Sequence, residues 1–150
     1  MRAVIQRTGY ASVNVDGKIV GEIGKGIMVL VGFQSSDDEK VMDYMLDKTV
    51  NLRIFEDNEG KMNLSLRDID GELLIVPNFT LYGDARKGRR PGYSSAATPA
   101  EAEGMFARFV EKAENAGLKK VKSGIFQAEM KVELLNDGPI TILLDSDRNF

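Results

Sequence analysis

Three short segments of the chain combine residue types that could take part in binding or catalysis. They are Pro77 to Gly83, reading PNFTLYG; Asp84 to Tyr93, reading DARKGRRPGY; and Asn136 to Thr141, reading NDGPIT. The first joins polar side chains to a proline, the second concentrates positive charge, and the third contains a Gly-Pro pair. Each also has an ordinary structural interpretation.

The chemistry open to these segments is narrowed because the chain contains no histidine and no cysteine. Histidine is the usual general base near neutral pH, and a cysteine thiolate is the usual sulfur nucleophile. Ser-His-Asp and Cys-His catalysis are therefore excluded. Zinc sites lose their preferred ligands, which leaves carboxylates for a hard cation such as Mg²⁺ or Ca²⁺. We expect a site without a metal or an organic cofactor.

The segment Pro77 to Gly83 has two interpretations. Phe79 and Leu81 could be buried at the end of a core strand, with Thr80 as a β-favouring neighbour. Pro77, however, cannot donate a hydrogen bond to a sheet ladder, so it favours the end of a strand that opens into a loop. Because binding and catalytic residues are concentrated in such loops, the segment is a candidate site.

The segment Asp84 to Tyr93 contains a single acid and a cluster of cations: Arg86, Lys87, Arg89 and Arg90. Most short charge runs are solvated surface loops. The alternative is contact with phosphate groups, whose oxygens match the fork of an arginine side chain. The net charge of −3 argues against a protein that coats long stretches of nucleic acid, which leaves contact with one RNA end open.

The segment Asn136 to Pro139 would ordinarily form a hairpin turn between two strands. A peptide bond before proline prefers the trans form by only about 0.5–1 kcal/mol. The sequence therefore leaves the isomer of the Gly138-Pro139 bond open.

Strands predicted from the sequence must position these segments. Ala3 to Arg7 and Ser12 to Val15 alternate as strands do, and Asp16-Gly17 predicts a hairpin into Lys18 to Ile23. The apolar run Ile27 to Val31 is typical of a buried central strand. Later strands are predicted over Glu72 to Val76, Met130 to Leu135 and Ile140 to Leu144.

Two helices are also predicted. Ser36 to Glu39 has the spacing of a capping box and predicts a helix over about residues 37–51. Thr98, Pro99 and Glu101 place a cap, a first-turn proline and a capping glutamate at the start of a second helix, which Gly117 ends. Its expected buried stripe is Met105, Phe106, Phe109, Val110 and Ala113.

The length of 150 residues and a hydrophobic content of 43% fit one domain over residues 1–150. Strands come first and helices then alternate with strands, which indicates an α/β or α+β domain with a strongly β core. The N-terminus lacks a signal-peptide pattern, and the apolar runs are too short to span a bilayer. We expect a soluble, cytoplasmic protein with no membrane partner.

Taken together, several blocks of the sequence resemble the D-aminoacyl-tRNA deacylase family. The blocks are AVIQR at 3–7, the hairpin through Asp16-Gly17, GEIGKG at 21–26, RIF at 53–55, GKMN at 60–63, FTL at 79–81, RRP at 89–91 and NDGPIT at 136–141. They occur in the family's order and spacing over nearly the whole chain. No single block is specific, but their joint occurrence is.

The resemblance implies an α/β (α+β-like) fold in which a β-barrel-like pair of mainly antiparallel sheets is flanked by two main helices. It also implies a two-fold homodimer with active sites at the subunit interface. Phe79 and Thr80 would form the pocket floor and carry the catalytic role, with their main-chain amides facing the ester. Asn78 and Met130 would line the same pocket as substrate-binding residues.

The second half of the implied site comes from the other subunit. Gly138 and Pro139, joined by a cis bond in this family, would enter the pocket and bind substrate, and Arg7 would brace them. The cations Arg86, Lys87, Arg89 and Arg90 would lie near the 3′ end of the tRNA.

The implied reaction is hydrolysis of the ester that links a D-amino acid to tRNA, a proofreading step in translation. Glycine mischarged on tRNA(Ala) would also be released, whereas L-amino acids would be rejected by the Gly138 and Pro139 carbonyls. The ribose 2′-hydroxyl of the terminal adenosine would assist. Such RNA-assisted hydrolysis suits a chain without histidine or cysteine.

One position departs from the family pattern and keeps alternatives open. Pro77-Asn78 stands where the family has Ser-Gln. A proline there is similar to a related deacylase branch with relaxed chiral selectivity, which would act on L-alanyl-tRNA. A third alternative, from a different class, is a non-catalytic dimeric module that binds RNA ends and uses Thr80 only for packing.

Overall fold

The computed structural model describes residues 1–150 and contains eight strands, two α-helices and one short 3₁₀ helix. The strands are β1 (Arg2–Val15), β2 (Lys18–Ile23), β3 (Gly26–Gly32), β4 (Phe55–Glu56), β5 (Met62–Leu64), β6 (Glu72–Pro77), β7 (Lys120–Ser123) and β8 (Lys131–Asp145). The helices are α1 (Glu39–Asn51) and α2 (Pro99–Glu114), and the 3₁₀ helix (Phe79–Tyr82) directly follows β6.

The long strand β1 is the centre of the main sheet. It pairs antiparallel with β2, β3 and β8, while β3 pairs parallel with β6 and β6 with β7. The two ends of the path β2-β1-β3-β6-β7 approach each other, because a Cβ built on Gly21 would lie 3.0 Å from the Ser123 carbonyl oxygen. The result is a nearly closed, mainly antiparallel sheet flanked by two helices, as the family resemblance implied.

Burial on both faces explains why β3 and β6 are continuous apolar runs. Ile27, Val29 and Val31 of β3 belong to the large core cluster beneath the helices. The alternate residue Met28 belongs to the second cluster, with Leu74 on β6. Because successive side chains of a strand point to opposite faces, only an unbroken hydrophobic strand fits this position. The predicted central strand is confirmed.

The first helix begins later than the sequence predicted. Asp38 is its N-cap, and the side chain of Asp38 accepts a hydrogen bond from the Val41 N–H. Asp37, expected inside the helix, instead accepts a hydrogen bond from the ammonium group of Met1 at 2.5 Å. This buried pairing with the chain terminus holds Asp37 outside the helix, a constraint that local sequence does not contain.

The second helix follows its prediction closely. Thr98 and Glu101 form a complete capping box, and the helix ends at Asn115, before Gly117 at φ +74. The predicted apolar stripe is buried apart from Val110, which is half-buried. Neither α-helix is both long enough and apolar enough to cross a lipid bilayer.

The last quarter of the chain differs from its prediction in one respect. Instead of two strands joined by a hairpin turn, it forms the single strand β8, which stays paired with β1 on both sides of the Gly-Pro pair. The strand β7 was not predicted, because four residues of the sequence KVKS carry no clear strand signal. It forms by pairing with β6, a contact between distant parts of the chain.

Candidate active site

A cavity of about 900 Å³ lies at the ends of the parallel strands β3 and β6. Asn78, Phe79 and Met130 line it together, so the structure brings three of the predicted site residues to one place. The rest of its wall is largely apolar and includes Phe33, Ala97, Ala102 and Phe126. A mostly apolar cavity with a few polar groups is the usual form of a site for an organic ligand.

The residues 77–80, which we call the cavity segment, are shaped by the end of β6. Pro77 is the last residue of that strand, opposite Val31, and the Asn78 N–H donates to the Val31 carbonyl oxygen at 2.7 Å. The Asn78 side chain then caps the 3₁₀ helix by accepting a hydrogen bond from the Thr80 N–H at 3.1 Å. The Thr80 hydroxyl donates to the same oxygen.

This cap separates the two residues expected to form the pocket floor. Phe79 lines the cavity with a side chain that is 57% exposed, whereas Thr80 is not part of the cavity wall. The Thr80 carbonyl oxygen accepts a hydrogen bond from the Gly83 N–H at 2.9 Å. Both the N–H and the hydroxyl of Thr80 are thus already committed to Asn78.

The opposite wall depends on a close approach between Met130 and Gly124. A Cβ built on Gly124 would lie 2.6 Å from the Met130 sulfur and 3.4 Å from Pro77. Any larger residue at position 124 would make the Met130 side chain shift, so Gly124 influences the position of one cavity wall. Sequence analysis missed Gly124, because a glycine after a short polar strand looks like an ordinary loop residue.

The basic segment adjoins the cavity through an aromatic contact. The rings of Phe79 and Tyr93 are 5.1 Å apart, edge to face, and a bridge between Asp84 and Gly92 closes the loop that carries the cations. Arg86 forms an ion pair with Asp84 at 2.7 Å. Hydrogen bonds from the Arg86 side chain, and then its N–H, hold the pKa of Asp84 well below its usual range.

The remaining cations of this loop are available for contact with another molecule. Lys87, Arg89 and Arg90 are exposed and form no ion pair within the chain. The loop therefore presents three unneutralised positive charges beside the cavity mouth. Arg86 contributes less, since its charge is balanced by Asp84.

The predicted site residues Gly138 and Pro139 lie on β8, and Arg7 lies opposite them on β1. Gln6 pairs with Thr141 and Thr8 with Asn136, so the residues 137–140 loop out opposite Arg7, and we call them the β8 bulge. The Gly138-Pro139 peptide bond is cis. Asn136 closes the base of the bulge, because its side chain accepts from the Ile140 N–H at 3.0 Å and donates to the Thr141 hydroxyl at 3.0 Å.

Arg7 anchors the β8 bulge from below. Its side chain is buried and donates to the carbonyl oxygens of Asp137, at 3.0 Å, and Ile54, at 2.8 Å. Gly138 has φ +128, a conformation that residues with side chains rarely adopt, and a Cβ there would lie 2.9 Å from Ile140. No residue of the bulge lines the cavity of its own chain.

Arg2 joins the two parts of the structure that carry site residues. It donates to the Leu81 carbonyl oxygen of the 3₁₀ helix at 3.0 Å and to Asp145 at the end of β8 at 3.0 Å. Its guanidinium lies 4.7 Å from the ring centre of Tyr82. Burial, and then the charges of Asp37 and Asp145, raise the pKa of the Tyr82 hydroxyl. Arg2 was not predicted as a site residue.

Asp145, which accepts a hydrogen bond from Arg2, is held in its charged form. Burial by itself would raise the pKa of Asp145, but hydrogen bonds from the Asn149 side chain and the Asp147 N–H, together with Arg2, bring it below its usual value. The carboxylate form is therefore the one that the fold stabilises.

The chain is similar to known proteins over almost its whole length. A family model described as "D-Tyr-tRNA(Tyr) deacylase" matches residues 4–145. The protein named D-aminoacyl-tRNA deacylase from Kosmotoga olearia is 58% identical over 150 residues, and that from Clostridioides difficile is 56% identical, with 100% of each chain covered.

Two solved structures share the fold. One, titled "c-Myc DNA Unwinding Element Binding Protein", is 40% identical with a TM-score of 0.91, and the match covers 97% of this chain and 98% of that one. The other, described as a probable eukaryotic D-amino acid tRNA deacylase, is 20% identical with a TM-score of 0.80 and coverage of 95% and 97%. At that identity the second comparison supports the fold alone.

Proposed function

The chain belongs to the D-Tyr-tRNA(Tyr) deacylase family, and we propose that it releases D-amino acids from tRNA and spares L-amino acids, using a site completed by a second copy of the chain. The chain is thus an ester hydrolase, a D-aminoacyl-tRNA deacylase. Membership of the family supports the reaction. The geometry of the cavity and the β8 strand supports the selectivity and the dimer, and we infer that the reaction takes place in the cytoplasm.

The observation that carries the dimeric site is the separation of the β8 bulge from the cavity. Gly138 and Pro139 are exposed, and they lie outside the cavity wall of their own chain. Arg7 and Asn136 hold the main chain of the β8 bulge in a fixed shape, so the bulge can enter the cavity of another subunit. The matching cavity, lined by Phe79 and Met130, belongs to a second copy.

The surface of β8 supports such a partner. β8 pairs only with β1, so its other edge is free on both sides of the β8 bulge. Leu135 and Leu143 on this strand are 64% and 54% exposed. Free edges and exposed apolar residues are unfavourable in an isolated monomer. A two-fold dimer would cover these residues.

Chiral selection in this proposal uses main-chain atoms. The carbonyl oxygens of Gly138 and Pro139 accept hydrogen bonds from the substrate ammonium and occupy the place where an L side chain would project. Rejection by such a clash can exceed the roughly 1–3 kcal/mol that one methylene contributes to hydrophobic fit. Glycine has no side chain to reject, so glycyl-tRNA(Ala) is also a substrate.

Hydrolysis in this proposal needs no histidine. The aminoacyl ester is already reactive, so positioned water and hydrogen-bond donors for the developing oxyanion suffice. The ribose 2′-hydroxyl of the terminal adenosine assists, and the main-chain amide of Phe79 faces the ester. Thr80 contributes by holding the cavity segment in shape.

The tRNA end is held by the basic loop. Lys87, Arg89 and Arg90 contact backbone phosphates near the cavity mouth, and Arg86 joins them when its pairing with Asp84 opens. Such contacts give affinity without sequence readout and weaken as salt concentration rises. The small number of charges fits a short acceptor end.

The decisive experiment compares D-tyrosyl-tRNA, L-tyrosyl-tRNA and glycyl-tRNA(Ala) as substrates, with and without a chelator. We expect release of D-tyrosine and glycine, survival of the L-ester, and no effect of the chelator. Gly138→Ala should abolish turnover while the protein stays folded. A folded wild-type protein that binds tRNA but releases no amino acid would instead indicate a non-catalytic RNA-end module.

A second candidate function is favoured by one observation at the cavity segment. Pro77, rather than serine, contributes to the cavity wall beside Met130. This departure is shared with a related branch of relaxed selectivity. Adding L-alanyl-tRNA to the substrate panel separates the two functions, because only the relaxed enzyme hydrolyses it at a rate comparable with the D-ester.

A further inference from the structure

The orientation of the Asn78 side-chain amide is fixed by its neighbour Thr80. A main-chain N–H can only donate, so the Asn78 atom 3.1 Å from the Thr80 nitrogen must be the oxygen. The Thr80 hydroxyl contacts the same oxygen. The Asn78 amide nitrogen therefore faces the other way, with both of its hydrogens uncommitted, because no acceptor within the chain binds it.

This free donor belongs to a residue of the cavity wall. Asn78 is half-buried and lines the same cavity as Phe79 and Met130. Its main chain is anchored at the end of β6 by the hydrogen bond to Val31 at 2.7 Å. Hydrogen bonds hold both the main-chain N–H and the side-chain oxygen of Asn78, so its amide NH₂ group loses little conformational entropy when it binds a ligand. Such a preorganised donor can give strong electrostatic stabilisation.

The chemistry of an amide NH₂ group selects the part of the substrate that it can bind. It donates and cannot accept, so it suits a carbonyl oxygen and repels an ammonium group. In ester hydrolysis the oxygen of water bonds to the acyl carbon while the C=O electron pair moves onto the carbonyl oxygen. The pair then returns as the bond to the ribose oxygen breaks, and a proton from the water goes to that oxygen.

We propose that Asn78 has two roles: its side-chain oxygen positions Thr80 and the cavity segment, and its side-chain nitrogen donates to the acyl carbonyl oxygen of the substrate as negative charge develops there. The proposal rests on the deacylase function given above. The Thr80 N–H cannot donate to the oxyanion, because it is already bound to the Asn78 side-chain oxygen. The Asn78 amide nitrogen supplies a donor in its place.

The test uses variants that keep one role and remove the other. Asn78→Asp and Asn78→Ser both retain an oxygen that can cap the Thr80 N–H, since Asp, Ser and Asn are comparable helix caps. Neither retains the amide donor. Loss of one oxyanion donor typically lowers kcat by about 10²–10³-fold. We expect a kcat for D-tyrosyl-tRNA reduced by roughly 100-fold, with KM and the melting temperature nearly unchanged.

Asn78→Ala removes both roles and should show the same loss of kcat together with a lower melting temperature. Asn58→Asp is the charge-matched control, because Asn58 is an exposed turn residue that does not line the cavity. It should behave as the wild type.

The pH profile gives a further readout, since the carboxyl group introduced by Asn78→Asp can donate only when protonated. Its activity relative to wild type should rise toward acidic pH.

These experiments distinguish the donor role of Asn78 from the proposed deacylase function. A wild-type rate in both Asn78→Asp and Asn78→Ser, with an active wild-type enzyme, would overturn the inference and leave the deacylase function standing. Equal losses of kcat and melting temperature in all three variants would reduce Asn78 to a structural cap. A wild-type protein that hydrolyses no D-ester would remove the proposed function and this inference together.

Discussion

The cavity segment and the β8 bulge are held in place in opposite ways. In the cavity segment, the side-chain hydrogen bond is local, since Asn78 caps Thr80 two residues later, although the Asn78 N–H is also bound to Val31 on β3. In the bulge, the main support is Arg7, which is 130 residues away in sequence from the carbonyl it binds. Arg7 also binds Ile54, so three distant parts of the chain must assemble before the bulge has its shape.

The difference shows that the two halves of the proposed site depend on folding to different degrees. A local cap forms as soon as its short helix forms, whereas a buried arginine between two loops forms only with the complete tertiary structure. Substitutions that support the bulge should therefore damage stability and activity together. Those in the cavity segment should change activity with less effect on the fold.

The largest effect is expected for Arg7→Ala, which tests the dependence of the bulge on distant support. Removing the side chain takes the Arg7 donor from the buried Ile54 carbonyl, at a cost of about 1–3 kcal/mol, and also from the partly solvated Asp137 carbonyl. We expect urea unfolding to show a loss of roughly 3 kcal/mol and activity on D-tyrosyl-tRNA to disappear. Arg67→Ala is the matched control, because exposed Arg67 also donates to a main-chain carbonyl.

A smaller loss is expected for Gly124→Ala, which alters the cavity without touching the bulge. The new methyl group would collide with the Met130 sulfur and push it into the cavity, an overpacking that costs about 1–3 kcal/mol. KM should rise most for bulky D-amino acids and least for glycine. The control Gly104→Ala, in α2, should stabilise the protein by about 0.5–1 kcal/mol. Equal KM for all substrates would contradict this role.

A pH-dependent effect of about 1 kcal/mol is expected for Asp145→Asn, at the link between the two regions. The pKa of Asp145 is lower in the folded protein, so its stabilising contribution is complete above the unfolded value near 4 and is lost as pH falls through the folded value. The variant should melt at a lower temperature than the wild type at pH 7. The two should converge as the pH falls below the folded pKa of Asp145, and a constant difference would argue against the ionic role.

The smallest effect is expected for Thr80→Val, which removes a hydroxyl but keeps the N–H that Asn78 caps. Because the hydroxyl is bound to Asn78 and lies outside the cavity wall, kcat should change by less than about tenfold. Single-turnover hydrolysis of D-tyrosyl-tRNA measures this directly. A loss of about a thousandfold would mean that the hydroxyl itself contacts the reacting atoms.

The elements that the sequence predicted well depend on neighbouring residues. The hairpin at Asp16-Gly17 and the capping box of Thr98 and Glu101 form as expected, because their hydrogen bonds join residues a few positions apart. The start of α1 was misplaced, since Asp37 is drawn away by the chain terminus. The turn predicted at Asn136 is instead a bulge, since continued pairing with β1 keeps the strand direction.

In the candidate site, too, the contacts between residues distant in sequence were the ones that the sequence did not predict. Asn78, Phe79 and Met130 were expected around one pocket on the strength of a family resemblance, and the structure places them around one cavity. Arg2 and Gly124 were not expected, because an arginine near the start of a strand and a glycine after one are common in any protein. Their importance comes from Leu81 and Met130, which approach them only in the folded chain.

The β8 bulge also bears on how the protein behaves at high concentration. A long unpaired strand edge can recruit strands from other molecules and seed fibrils. The bulge divides the free edge of β8 into two short stretches, 131–136 and 141–145, and bends the ladder between them. Deleting residues 137–140 to make a regular strand would therefore remove a safeguard against aggregation, so the loop that we assign to substrate selection also helps to keep the chain from polymerising.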